Sequence, residues 1–362
     1  MTLSADQCDL DALSHQLQEL IARLSSLENG DLIYQALTTV LQTASGETDR
    51  LDWKILSASL QDLRQGFQVF HPHRHVRKIS IFGSARISPT SDEYQLAVDF
   101  ARCVTARGFM VMTGAGGGIM EAGNQGAGPG QSFGLNIQLP FEQGANPFIA
   151  DDPKLIDFKY FFIRKLFFLR ETDAIALFPG GFGTQDEAFE CLTLSQTGKS
   201  SPMPLVLIDK PGGSYWLEWD AYIRKNLADR HLINPDDRNL YTITDDLETA
   251  CSAISDFYRM FHSSRFIGEQ FVIRLNQALS ESEISTLNEK FSDILLSGHI
   301  QQSLAGSKDA SLPETQAERE MAQLPQLGFH FNQRDHGRLY QLIAVLNQMG
   351  NGTEAVQHPE RK

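Results

Sequence analysis

A chain of 362 residues, 41% hydrophobic and 21% charged, is long enough for two domains or for one large domain with appendages, and its composition is that of an ordinary soluble protein. Its formal net charge of −14 argues against general nucleic-acid binding, which needs a basic face to displace counterions. Cys8, Cys103, Cys191 and Cys251 show no CxxC spacing, so neither a disulfide framework nor a metal site is indicated; with no signal-peptide profile and no membrane-length apolar run, a cytoplasmic location without a membrane partner is expected.

Residues 1 to 76 read as a helical extension. Leu10, Leu13, Leu17, Leu20, Leu24 and Leu27 follow coiled-coil spacing, which suits either pairing with a second subunit or an amphipathic helix on its own domain. Helices are expected over Asp31–Ala44 and Asp49 to about Phe70, followed by a connector, HPHRH, whose alternating His71, His73 and His75 read more readily as surface than as metal ligands.

From Lys78 the pattern alternates between strands and helices, which predicts a mostly parallel sheet over residues 77–262. Strands are expected at Ile79–Phe82, Met110–Thr113, Phe133–Gln138, Leu155–Phe158, Ala174–Phe178 and Pro204–Ile208, with helices at Ser91–Arg107, from Ile119, over KYFFIRKLFFLRET, from near Thr184, at Tyr215–Leu227 and at Asp246–Phe261. Three loops then fall at carboxyl ends of strands, the ligand edge of such a sheet: GSAR with Ser84 and Arg86, TGAGGGIME with Gly116, Gly117 and Gly118, and PGGFGTQDE. A second PGG, Pro211–Gly213, reads as a plain turn.

In the third loop Pro179 and three closely spaced glycines break the strand and open a helix. Its backbone N–H groups suit a phosphate, with Asp186 and Glu187 in the first turn beside it. A capping Thr184 with acids complementing the helix dipole would explain the acids but not the glycines. The second loop fails the dinucleotide fingerprint because Ile119 stands where a glycine is needed, and neither loop ends in the GK[ST] of an ATP-binding loop.

Residues 263–362 read as a small α/β region able to add strands to a partner or bind an effector. It has a strand at Phe271–Leu275, a helix at Glu281–Leu296, a polar loop over Gln301–Glu318, a strand at Leu327–Phe331, a helix at His336–Met349 and a disordered tail from Gly350.

Taken together, the loops resemble those of the LOG (Lonely Guy) family of cytokinin riboside 5'-monophosphate phosphoribohydrolases and related bacterial nucleotide nucleosidases. The family mark PGGxGTxxE is met by Pro179, Gly180, Gly181, Gly183, Thr184 and Glu187, the Arg-Lys pair by Arg164 and Lys165, and the TGGGxGIMEAxN turn by TGAGGGIMEAGN, with Ala115 replacing one glycine. The resemblance covers roughly residues 77–262. It implies a Rossmann-like sheet with helices on both faces, a homodimer or higher oligomer, no cofactor, and hydrolysis of the N-glycosidic bond of a nucleoside 5'-monophosphate to free base and ribose 5-phosphate. Relatives have carried a lysine decarboxylase label, which this sequence does not support because it displays no pyridoxal phosphate site.

On that resemblance the phosphate sits on Gly180, Gly181, Gly183 and Thr184, and Glu187 stabilises the ribosyl cation or deprotonates the water. Arg164 holds the carboxylate, the phosphate or the leaving base. Gly116, Gly117 and Gly118 bind substrate, and Glu121, with Asn124 as helper, bonds ribose hydroxyls, although an acid there also suits the helix dipole. Lys165 reads equally as a surface residue or a phosphate contact, and Ser84 is a weaker candidate. A nucleotide sensor on the same fold is the alternative, with a dinucleotide oxidoreductase behind it.

Overall fold

The computed structural model describes residues 27–138, 144–303 and 323–349, with Gln16 alone before them. The leucines from Leu10 to Leu24, most of the polar loop and the tail lie outside these residues. Two compact units divide the chain, Met1–Gln61 and Asp62–Lys362. In the first, α1 (Gly30–Ser45) is entered from Asn29 in left-handed conformation, φ 61. Helix α2 (Arg50–Phe70) begins where the Asp49 carboxylate accepts hydrogen bonds from the N–H groups of Leu51 and Asp52, at 2.6 and 2.9 Å. The division falls inside α2, ahead of residue 76 where the sequence texture changes.

The second unit is built on a seven-stranded sheet, parallel throughout, of β1 (Lys78–Phe82), β2 (Met110–Thr113), β3 (Ser132–Ile137), β4 (Leu155–Phe158), β5 (Ala174–Leu177), β6 (Leu205–Ile208) and β7 (Thr242–Thr244). Its spatial order is β4-β3-β2-β1-β5-β6-β7. The chain runs outward from β1 to one edge, crosses back beside β1, and runs outward to the other. That reversal between β1 and β5 is where ligands enter open α/β sheets.

Strand side chains alternate between two cores, as a period of two requires. Ile79, Ile81, Val111, Ala174, Ala176, Val206 and Ile208 face one, with α3 (Asp92–Ala106), α4 (Ile119–Ala127) and α8 (Leu247–Ser255). Phe82, Met112, Ile175, Leu177 and Leu207 face the other, with α5 (Phe161–Glu171), α6 (Phe182–Gln196) and α7 (Tyr215–Ile223). The central strands β1, β2, β5 and β6 are therefore buried on both faces, and the sequence there reads as short, mostly hydrophobic runs. Asp62, itself buried, accepts hydrogen bonds from the N–H groups of Lys159 and Tyr160 at 2.9 and 3.4 Å, which ties it to the start of α5.

The C-terminal region differs from its expected form. Four strands, β8 (Phe261–Ile267), β9 (Gln270–Leu275), β10 (Leu295–Ser303) and β11 (Gln326–Phe331), make an antiparallel sheet of order β10-β11-β9-β8, with α9 (Glu281–Phe291) and α10 (His336–Gln348). The helix expected to reach Leu296 stops at Phe291, because Leu295 onward pairs with β11. Phe271, Ile273, Phe329 and Phe331 join the same hydrophobic core as Ile79 and Val111. Strands β7 and β8 were not expected; each is short or rich in polar residues, and pairing with a neighbour makes them strands. Among the described residues no helix is long and apolar enough to cross a membrane.

Candidate active site

The loops after β1, β2 and β5 meet at the reversal, and Ser84 joins them. Its N–H donates to Pro179 O at 3.1 Å, and its own carbonyl accepts from Ile119 N at 3.1 Å. So close an approach needs glycine: Gly118 stands at φ 61, and a β-carbon there would lie 2.3 Å from Ser84 O. The Ser84 hydroxyl accepts from Arg86 N at 3.1 Å, so the serine acts here through the backbone.

The glycine turn after β2 is held from beneath. Ala115, at the position of the missing family glycine, sits in left-handed conformation with φ 63. The amide of Asn146 donates to the carbonyls of Ala115 and Gly116 at 3.1 and 3.0 Å and to Asn124 Oδ1 at 2.9 Å. Asn124, expected to reach a ribose, is buried instead; its Oδ1 also accepts from Thr113 Oγ1 at 2.7 Å and its Nδ2 donates to Ser132 Oγ at 3.0 Å. The helper role is therefore corrected to a scaffold role, because the amide is spent on the turn. Glu121 stays at the surface of the crevice: its Oε1 is 3.2 Å from the Tyr94 hydroxyl, and its Oε2 lies toward Gly117. Burial, with the Glu121 charge beside it, pushes the Tyr94 phenol up to about 12.

In the third loop α6 starts at Phe182, two residues before Thr184, with Gly181 as its N-cap and no side-chain cap on its amino end. Gly181 and Gly183 face open space. Thr184 is buried against Gly180, where a β-carbon would sit 2.1 Å from its Oγ1. The seat for an anion is thus uncapped backbone, exposed on the glycine side and packed on the threonine side. The loop is braced by a residue that the turn reading of Pro211–Gly213 passed over. The Tyr215 hydroxyl donates to Gly180 O at 2.6 Å and accepts from Gln185 Nε2 at 2.7 Å, while Trp219 Nε1 donates to Gln185 Oε1 at 2.9 Å.

Glu187 lies one turn into α6, half-buried, with Oε2 enclosed and without a hydrogen-bond partner. Burial pushes its carboxyl up to about 7, against the pull of the Lys165 and Arg164 charges. Lys165 is neither loose nor free for phosphate: its Nζ is 2.7 Å from Asp186 Oδ2 and 2.6 Å from Glu190 Oε2. Burial draws its ammonium down, but these two bonds outweigh it and hold the group above its usual range. Arg164 donates from Nε to Leu135 O at 2.8 Å, and its far nitrogen reaches Gly114, where a β-carbon would come within 2.5 Å. The structure thus brings Glu187, Arg164 and Lys165 together, and Ser84, Gly118 and the third loop together. Tyr215, Asn146, Tyr94 and Glu190 are site residues without a sequence signal, since no motif marks them.

Residues 112–254 match the family model described as possible lysine decarboxylase. No curated protein matches the chain. Among solved structures it is similar to TM1055, at 23% identity over 48% of this chain and 94% of that one, TM-score 0.34. It is also similar to the molybdenum cofactor binding protein from Rippkaea orientalis, at 18% identity over 48% of this chain and 91% of that one, TM-score 0.32. A third is DNA processing protein A from Helicobacter pylori, at 13% over 49% and 80%, TM-score 0.33. None of the three bears on what this chain binds.

Proposed function

We propose that this chain, whose match to the LOG-related family model spans residues 112–254, hydrolyses the N-glycosidic bond of nucleoside 5'-monophosphates. A nucleotide-related function is what the family supports; the reaction itself is inferred from the residues. The observation that carries the inference is Glu187, half-buried with an unpartnered oxygen, on the helix whose amino end forms the anion seat. A carboxyl tuned near neutrality is suited to take a proton at physiological pH.

In this reading the 5'-phosphate rests on the N–H groups of Gly180, Gly181, Gly183 and Thr184, which fixes the ribose relative to α6. Glu121 meets the ribose hydroxyls beside Gly116 and Gly117. The C1'–N bond breaks with its electron pair going to the base, and positive charge develops on the sugar. Glu187 as carboxylate stabilises that charge and accepts a proton from the water that adds to C1'. The proton returns to the departing base, leaving free base and ribose 5-phosphate. Arg164, held on the Leu135 carbonyl and passing the bare face of Gly114, steadies the Glu187 charge without leaving its post.

The decarboxylase description is not carried over. A Schiff-base lysine needs an amine that loses its proton readily. Lys165 is clamped between two carboxylates, and Lys78 donates to the carbonyls of His73 and Val76 at 2.8 and 3.0 Å. Two subunits and a cytoplasmic setting belong to the same proposal. Incubation with AMP, GMP, CMP and UMP, followed by chromatography for free base, tests it. Release of base from at least one supports the reading; nucleotide bound but intact would make the protein a sensor.

A further inference from the structure

Apart from the crevice, the second unit holds a groove of about 740 Å³ between the outer face of α5, the end of α6 with the turn after it, and the start of β8. The size is that of a small-molecule site. Phe162, Leu166 and Leu169 of α5 and Phe261 of β8 give it an apolar wall. Of its cations, Arg77 pairs with Asp173, Lys165 with Asp186 and Glu190, and Arg170 with Glu171, which leaves Lys199 as the cation whose charge no carboxylate among the described residues balances. In a chain of net charge −14 an unbalanced cation on the rim of an apolar groove is a place for an anion. Arg77 is buried, its guanidinium 3.6 Å from the Tyr258 ring centre and 3.7 Å from Asp173, with Nε lacking a hydrogen-bond partner. Lys199 is exposed, and no carboxylate among the described residues pairs with it. The hydroxyls of Ser200 and Ser201 stand beside it on the same rim.

We propose that this groove binds a small molecule with an anionic head and an aromatic or aliphatic body, and that its occupancy is felt at the active site through Lys165. The head lies between Lys199 with the serine rim and the Lys165 edge; the body lies on the α5 wall. Lys165 and Glu190 form both the inner edge of the groove and the ion pair beside Glu187. A second anion at that edge competes with Glu190 for Lys165, and so changes the charge that Glu187 and a bound nucleotide meet. By linkage, nucleotide binding changes affinity for the groove ligand by the same factor. The coupling half of the proposal rests on the nucleotidase reading; the binding half does not.

The test uses the full chain and 1-anilinonaphthalene-8-sulfonate, an anionic aryl probe, followed by fluorescence titration. Saturable binding is expected, weakened about tenfold by Lys199→Glu, which reverses the charge at the rim, and comparably by Ser201→Trp, which fills the groove. Both positions are exposed, so neither variant endangers the fold. Affinity for AMP, measured by equilibrium dialysis on Glu187→Gln to avoid turnover, is expected to change about fivefold with probe bound. Probe binding indifferent to both variants overturns the site, as does sedimentation showing that Lys199→Glu splits a dimer, which would make the groove a subunit interface. Probe binding with unchanged AMP affinity overturns the coupling. Variant-sensitive probe binding without base release from any nucleotide keeps the site and removes the nucleotidase reading.

Discussion

The hydroxyl of Tyr215 donates to the carbonyl of Gly180 at 2.6 Å, so the loop proposed to seat the phosphate is pinned from α7 as well as by its own helix. The short Pro211–Gly213 turn makes this possible. A β-carbon at Gly213 would lie 2.3 Å from the Asp209 carboxylate, which accepts from Tyr215 N at 2.9 Å and fixes where α7 begins. Tyr215→Phe removes two hydrogen bonds, to Gly180 O and from Gln185 Nε2, each worth ~1 kcal/mol, and slackens the loop. The expected result is a KM for nucleoside monophosphate raised about fivefold, with kcat and melting temperature little changed. Equal losses in kcat and KM would assign the tyrosine to chemistry rather than to positioning.

Glu187→Gln is expected to abolish base release while leaving nucleotide binding intact. In the parent protein kcat/KM should rise about tenfold per pH unit below 7 and level off above it, since the carboxylate is the working form. Stability carries the opposite sign. The folded carboxyl keeps its proton up to about 7, whereas the unfolded one releases it near 4.5, so this residue's contribution to stability falls as pH rises through that window. The glutamine variant should therefore melt higher than the parent at pH 8 and equally at pH 4. A flat difference between the two melting curves would refute the buried acid.

Arg164→Ala should lower base release about 100-fold or more by removing the cation beside Glu187. Loss of its bond to Leu135 O adds a smaller stability cost, ~1–2 kcal/mol, read by urea denaturation. A collapse in stability as large as the loss in rate would recast the arginine as a strut for β3.

Asn146→Ala should destabilise by about 2 kcal/mol, because it leaves the carbonyl of Gly116 and the amide oxygen of Asn124 short of a donor in a buried setting. Asn146→Asp, nearly identical in shape, should be worse, since it turns a donor into an anion facing those oxygens. Thermal melts of the two variants check the order, and the reverse order would show that packing outweighs the hydrogen bonds.

The strand edges were legible because the central strands β1, β2, β5 and β6 are buried on both faces and read as mostly apolar runs, and because proline or glycine ends several of them. The pairing of Ser84 with Pro179, and of Gly118 with Ser84, was implicit in where the glycines stand. What escaped were long-range partners. Tyr215 is 35 positions from Gly180, and Asn146 is 22 from Asn124. Asn124 misled for the same reason: its spacing after Glu121 suits a ligand contact, yet Thr113, Ser132 and Asn146 claim it. Strand β10 escaped because Leu295–Ser303 has no strand-like alternation and becomes extended only by pairing with β11.

The strand reversal also constrains how the protein matures on the ribosome. The crevice draws on loops after β1, β2 and β5, so its last part leaves the exit tunnel only with α6. A nascent chain that ends before Pro179 has two of the three loops and lacks Glu187, so its crevice stays incomplete however well its early strands pair.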